Sequence, residues 1–259
     1  MNIKKNIAQI KNRLLEKSKR SLLWGVYDDQ FNQLVKQAEH TRNRFVLDEK
    51  DVQLHTQDAT TQTNFDRHYI YHPAWAARIL AETKPKMHVD ISSTLHFCSM
   101  LSAFMPVKFY DYRPAALELS NLSCDAADLT ALPFEDHSIA SLSCMHTVEH
   151  IGLGRYGDPI DYDGDWKAMK ELARVLAKDG NLLFVVPIGH QSIIQFNGHR
   201  VYHPNAIKEI FAAEGLTLKE FVWIPEQSSD GGLVENPDVL LLHHQTYACG
   251  CFWFTKQSL

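Results

Sequence analysis

Along residues 1–50 the apolar positions Ile3, Ile7, Ile10 and Leu14, then Phe31, Leu34 and Val35, recur at spacings of three and four. Positions so spaced share one helical face, so this stretch predicts amphipathic helices. From Lys84 onward the pattern changes to short β-prone runs separated by helical stretches. Such alternation predicts a mostly parallel sheet with helices on both faces. The chain is therefore read as an N-terminal helical appendage, residues 1–83, and an α/β domain, residues 84–259.

Within the second part, strands are expected at 87–91, 106–111, a short run ending at Asp125, 139–144, 181–186, 216–224 and 249–255. Ser92, Ser93 and Thr94 supply small or capping residues where the first strand passes into a helix over 95–104. A second helix is expected over 166–176, after which Asp179-Gly180 turns the chain into the strand that Pro187 closes. Pro204 opens a further helix and Gly215 ends it.

Composition narrows the function classes. A chain of 259 residues with 45% apolar content can bury a full core. A net charge of -5 and a pI near 6.3 give no electrostatic case for a nucleic-acid partner. The charge is polarised: seven basic residues against Glu16 within residues 1–20 give +6, leaving -11 for the remainder. Five cysteines are an odd number, and most sit in apolar runs, so reduced thiols are expected rather than a disulfide framework. Cys249-Gly-Cys251 is too closely spaced for the usual zinc pair, and no metal is expected from it. Without a signal peptide or a membrane-length apolar run, the expected location is the cytoplasm.

In an open parallel sheet the ligand lies beyond the carboxyl ends of the strands, which selects Asp90 to Thr94, Asp111, Asp125 and the loop after Cys144. Asp90 and Asp111 are 21 residues apart, the span of one β-α-β unit whose second strand ends in an acid able to accept from both hydroxyls of a ribose. Val89-Asp90-Ile91-Ser92-Ser93, Asp125-Ala126, Leu132-Pro133-Phe134, His146 to Ile151 and Arg174 to Gly180 together resemble the successive motifs of class I S-adenosylmethionine-dependent methyltransferases. The resemblance covers residues 84–188 and implies a Rossmann-like fold and S-adenosylmethionine as cofactor. It implies Asp90, Ser92 and Ser93 at the first cofactor loop, Asp111 on the ribose and Asp125-Ala126 on adenine. That first loop carries serines where the superfamily has glycines, so the serine hydroxyls are expected to hold the methionine part. Through His88 to Ser93, Phe109 to Pro114 and His146 to Asp161 the chain also resembles a bacterial branch of unknown function encoded beside surface-polysaccharide genes. This second resemblance implies a sugar or glycan acceptor.

Methylation of an alcohol needs a base as the methyl group arrives, and histidine suits that work at neutral pH. His150 is the first candidate, His146 the second, and Glu149 is expected to orient one of them. The long polar loop that follows, with Arg155, Tyr156 and Asp158, is expected to line the acceptor pocket together with His190, His199 and Arg200. Asp158, Asp161, Asp163 and Asp165 alternate as in a Ca²⁺ loop, but Met169 stands where the bidentate glutamate belongs, so a solvated turn capping the next helix is expected. The alternative to an enzyme is a non-methylating binding or accessory module of glycan biosynthesis with a degenerate cofactor site. A crevice filled by Leu95, His96 or Tyr112 would favour the module, and one open as far as His150 the enzyme. The basic, amphipathic residues 1–23 are expected to pack on the main domain or on a second copy of the chain in a homo-oligomer, or else to lie on an anionic membrane surface.

Overall fold

The structure is a computed structural model in which residues 25, 27–38 and 45–257 are described. The expected helix through Ile3, Ile7, Ile10 and Leu14, with its oligomer or membrane contact, lies outside the described residues. The chain forms two compact units, residues 1–64 and residues 65–259. In the first, residues 27–38 are helical (α1), and a 3₁₀ turn at Glu49–Asp51 is capped by the Asp48 side chain. No helix among the described residues is long and apolar enough to cross a membrane.

The second unit opens with α2, Arg67–Thr83, whose first turn is capped by Asp66. The expected boundary fell at residue 84, whereas the compact unit begins at Phe65. The physical reason is that α2 buries Trp75, Ile79 and Leu80 in one core with Phe97, Val185 and Val222 of the sheet domain. The eight-stranded sheet runs β3-β2-β1-β4-β5-β10-β8-β9. Its strands are β1 (His88–Ile91), β2 (Val107–Asp111), β3 (Leu122–Ala126), β4 (Ile139–Met145), β5 (Leu176–Ile188), β8 (Leu216–Ile224), β9 (Val234–Glu235) and β10 (Ala248–Lys256). A separate hairpin pairs β6 (Ile193–Gln195) with β7 (His199–Val201). The helices are completed by α3 (Leu95–Leu101), α4 (Gly164–Val175) and α5 (Pro204–Ala213).

Side-chain alternation along the strands splits the interior in two. Leu182, Phe184 and Val186 of β5 join Met169, Leu172 and Phe211 from α4 and α5. Leu183 and Val185, one residue out of phase, join the α2 and α3 side. The sheet is thus the middle of three layers, as the alternating sequence pattern predicts. Two local expectations are corrected. Asp179-Gly180 lies inside β5 at a register shift against β4, and Pro187 does not close that strand but pairs in register with Cys249.

β1 pairs in parallel with β2 on one side and β4 on the other, so the chain reverses its strand order there and the loops leaving β1 and β4 diverge. The divergence opens a crevice at the carboxyl ends of these strands. Beneath it runs a buried polar row. Asp90 Oδ1 accepts from the Ser93 N–H at 2.9 Å, and its other oxygen accepts from the Ser143 hydroxyl. His88 contacts Ser141 and Ser143 at 2.8 Å each, and burial pushes its pKa down to about 3. Burial pushes Asp90 up to about 6, against the pull of its serine hydrogen bonds.

A carboxyl group whose pKa is higher folded than unfolded adds stability below its unfolded value of 3.8, and loses it as pH rises through about 6. That gap corresponds to about 3 kcal/mol. Asp90→Asn keeps an acceptor for Ser93 and does not titrate. Its stability relative to the unsubstituted protein should therefore rise by about 2 kcal/mol between pH 4 and pH 7, the part of that gap which falls in this window. Urea unfolding of both proteins across this range measures the difference, and a flat difference would show that Asp90 is not charged at the expense of the fold.

Candidate active site

The loop after β1 is held by its own polar groups. Ser92 takes the left-handed backbone conformation, φ 55°, that glycine adopts without cost and that costs other residues about 1 kcal/mol. Its N–H and hydroxyl both donate to the Tyr110 carbonyl, at 2.7 and 3.1 Å, and Thr147 donates to the Ser92 carbonyl at 2.8 Å. The Ser93 hydroxyl accepts from the Met145 N–H at 3.0 Å. Each serine hydroxyl thus has one partner within the protein, and both residues border the crevice at the strand ends. What the serines preserve is the shape of the loop.

Beyond this loop lies a cavity of about 460 Å³ bordered by Ser92, Ser93, Asp111, His146, Glu149, His150, Arg155, Tyr156 and His199. Nine of the sequence-selected residues therefore meet at one place. Leu95 and His96 are not among the lining residues, and Tyr112 forms part of the wall without closing it. A smaller adjoining cavity, about 140 Å³, shares Ser92, Thr147, His150 and Tyr156. Asp111 stands at the end of β2, its Oδ1 accepting from the Arg113 N–H at 2.7 Å.

Five selected residues have other positions or duties. Asp90 is fully buried and borders neither cavity. Asp125 and Ala126 are exposed within β3, and the residues that reach the smaller cavity are the next ones, Ala127 to Thr130. The register explains the offset: Ala126 still pairs with Asp111, so the strand end falls after it. His190 is exposed and contacts the Gln245 carbonyl, away from both cavities. Arg200 is buried, donating to the carbonyls of Ile151 and Tyr162 and pairing with Asp165 at 3.5 Å. It anchors the loop that walls the crevice and is not free for an acceptor.

That loop, residues 151–163, folds back on itself. Asp158 borders the smaller cavity, but its carboxylate accepts from the N–H groups of Gly152, Gly154 and Tyr156. Burial alone would raise its pKa; these donors outweigh it and hold the group below the usual carboxylate range. Gly152, at φ 77°, admits no side chain, because a Cβ there would lie 2.0 Å from the Asp161 carbonyl oxygen.

The basic groups are sorted by their partners. His146 Nδ1 donates to Glu149 Oε1 at 2.8 Å, and its Nε2 lies 3.4 Å from Cys249 Sγ. Both nitrogens are engaged, so His146 is not the free base. His150 Nδ1 donates to the Gly198 carbonyl at 2.7 Å, which leaves Nε2 as the acceptor nitrogen, 3.8 Å from Glu149 Oε1. Arg155 donates to Gly198 as well, and the guanidinium groups of Arg113 and Arg155 lie 4.6 Å and 5.1 Å from the centre of the Tyr156 ring. Burial pushes the His199 pKa down, with His150 and Arg155 adding to the effect.

Sequence reasoning missed Tyr69, Arg113 and Tyr247 on the cavity wall. Burial and the Glu149 charge push both tyrosines up to about 12, so they are neutral phenols. Arg113 follows Asp111 by two residues and could have been read from that position; Tyr69 and Tyr247 come from distant segments and carried no local signal.

Over residues 134–225 the chain matches a family model described as Caenorhabditis protein of unknown function, DUF268. No curated protein sequence matches it. Among solved structures it is similar to a 1,6-didemethyltoxoflavin-N1-methyltransferase from Burkholderia thailandensis with bound 1,6-didemethyltoxoflavin and S-adenosylhomocysteine (11% identity, TM-score 0.50, covering 73% of this chain and 79% of that one). It is also similar to the YcgJ protein of Bacillus subtilis (15% identity, TM-score 0.50, 72% and 100% covered). A Bacillus halodurans protein described as a methyltransferase gives 13% identity and a TM-score of 0.51 over 72% of this chain and 99% of that one. At these identities the likeness concerns architecture: the chain has the Rossmann-like fold of class I S-adenosylmethionine-dependent methyltransferases.

Proposed function

We propose that this chain is an S-adenosylmethionine-dependent methyltransferase acting on an oxygen of a sugar or glycan precursor. The observation that carries the reading is a single open crevice running from the loop of Ser92 and the acid of Asp111 to the free nitrogen of His150. The residues present fit the cofactor: an acid ends the second strand where a ribose would lie, and Ala127 to Thr130 border the adjoining space for a base. When bound, S-adenosylmethionine supplies an electrophilic methyl group. His150 Nε2 would accept the proton of the acceptor hydroxyl, and the Glu149 carboxylate would balance the imidazolium so formed. Arg113 and Arg155 present two guanidinium groups at the mouth, suited to a carboxylate or phosphate on the acceptor. The sugar assignment rests on the branch resemblance and on this polar wall.

The second reading, a non-methylating accessory module, is favoured by the left-handed serine in place of glycine. Calorimetric titration with S-adenosylmethionine and with its demethylated product separates the two. Binding at micromolar to sub-millimolar concentration is expected, and no heat from either at millimolar concentration would leave the module. Asp111→Ala should weaken that binding by about 1.5 to 3 kcal/mol, the worth of a charged acceptor on hydroxyls. His150→Ala should leave cofactor affinity within a few-fold and lower turnover by about 10² or more. An unchanged rate in that variant would remove His150 as the base.

A further inference from the structure

His68 in the first turn of α2, His146 just beyond β4 and Cys249 near the start of β10 converge, one ligand atom from each lying within 4.8 Å of the others. We propose that these three side chains bind one divalent ion of the zinc class, with Cys249 as thiolate and each histidine through one neutral ring nitrogen. His146 Nε2 and Cys249 Sγ are 3.4 Å apart, close to the edge of about 3.5 Å in a tetrahedron with zinc–nitrogen and zinc–sulfur bonds of ordinary length. Each ring is also oriented from behind. His146 Nδ1 donates to Glu149 at 2.8 Å, the carboxylate–histidine arrangement that turns the other nitrogen into a ligand, and the Tyr247 backbone hydrogen-bonds the His68 ring.

A second observation points the same way. Beside this cluster His72 Nε2 and Glu149 Oε2 are buried without a hydrogen-bond partner, and the His72 ring centroid lies 5.1 Å from that of His146. Cys249, His146 and Glu149 also stand in the order of a nucleophile, its base and an orienting acid. That use is disfavoured because Cys249 is fully buried and borders neither cavity, and because it gives His68 no task. Three protein ligands leave one tetrahedral position for a water from the cavity, whose wall His146 forms. The thiol must give up its proton to solvent on binding, so one proton is released for each ion held.

The full-length protein, stripped with a chelator, is titrated with Zn²⁺ alone by calorimetry in two buffers of different ionisation enthalpy, and with Co²⁺ by absorption spectroscopy. One ion per chain, one proton released, and a thiolate-to-cobalt charge-transfer band are expected. His68→Ala, at a partly exposed position where the fold should persist, should weaken Zn²⁺ binding by about 100-fold. Cys249→Ser should abolish the band. Absence of stoichiometric Zn²⁺ binding, or binding and a cobalt spectrum unchanged in His68→Ala, would overturn the proposal even if Cys249→Ser did not fold. No step uses S-adenosylmethionine, so failure here and failure of the methyl-transfer reading are separate results.

Discussion

One buried carboxylate joins the sheet to the crevice. Asp90 sits in the middle of the switch between β2 and β4, where an ionised group is costly, and its two oxygens are bonded to Ser143 of β4 and the N–H of Ser93. The first bond ties β1 to its neighbour across the switch; the second fixes where the chain turns out of the strand. The loop shape, and with it the wall of the cavity, follows from a group that never reaches the cavity. An acid at the end of a first strand thus serves as an internal brace, while the acid at the end of the second strand, Asp111, is the one in the crevice.

Glu149 performs the corresponding ordering on the other wall. Its Oε1 fixes the His146 ring at 2.8 Å and faces His150 Nε2 at 3.8 Å, so one buried carboxylate lies against both rings. Cys249 occupies the far side of His146 and Gly198 the far side of His150. Two histidines separated by four residues consequently have different chemistry: the first belongs to an inner cluster with His68, the second to the open space. The neutral phenols of Tyr69 and Tyr247 complete that wall without adding charge.

Most of the sheet was legible because each strand carries its own alternation or apolar run, and the turn from β1 into α3 is marked by Ser92 to Thr94. The boundary of the domain was not legible, since the apolar face of α2 reads equally well as an appendage until Trp75 and Ile79 are seen against Val222. The site divided along the same line. Asp111, His150 and Arg155 were found from their place after strands, whereas Asp125 and Ala126 are the last residues of β3 and the residues bordering the smaller cavity follow them directly, because the end of β3 is set by the pairing of Ala126 with Asp111. Arg200 was selected for its guanidinium, and only its burial against Asp165 shows that the group is already taken. Cys249 was weighed with Cys251 because sequence spacing compares near neighbours; its nearer partners in chemistry are His68 and His146, brought by α2 and β4.

Glycine in a loop like that after β1 serves by lacking a side chain, which permits a positive φ and leaves the backbone open to a ligand. Ser92 retains the positive φ, and its hydroxyl is turned back onto the Tyr110 carbonyl that its own N–H already meets. Its side chain is therefore directed into the fold, while Ser93 spends its hydroxyl on Met145 of β4. The substitution leaves the space beside Asp111 open and adds two ties between β1 and its neighbours on either side. A loop stripped of glycines need not be a loop closed to a cofactor; here the replaced residues stiffen the rim and leave the crevice, from Ser92 to His150, continuous.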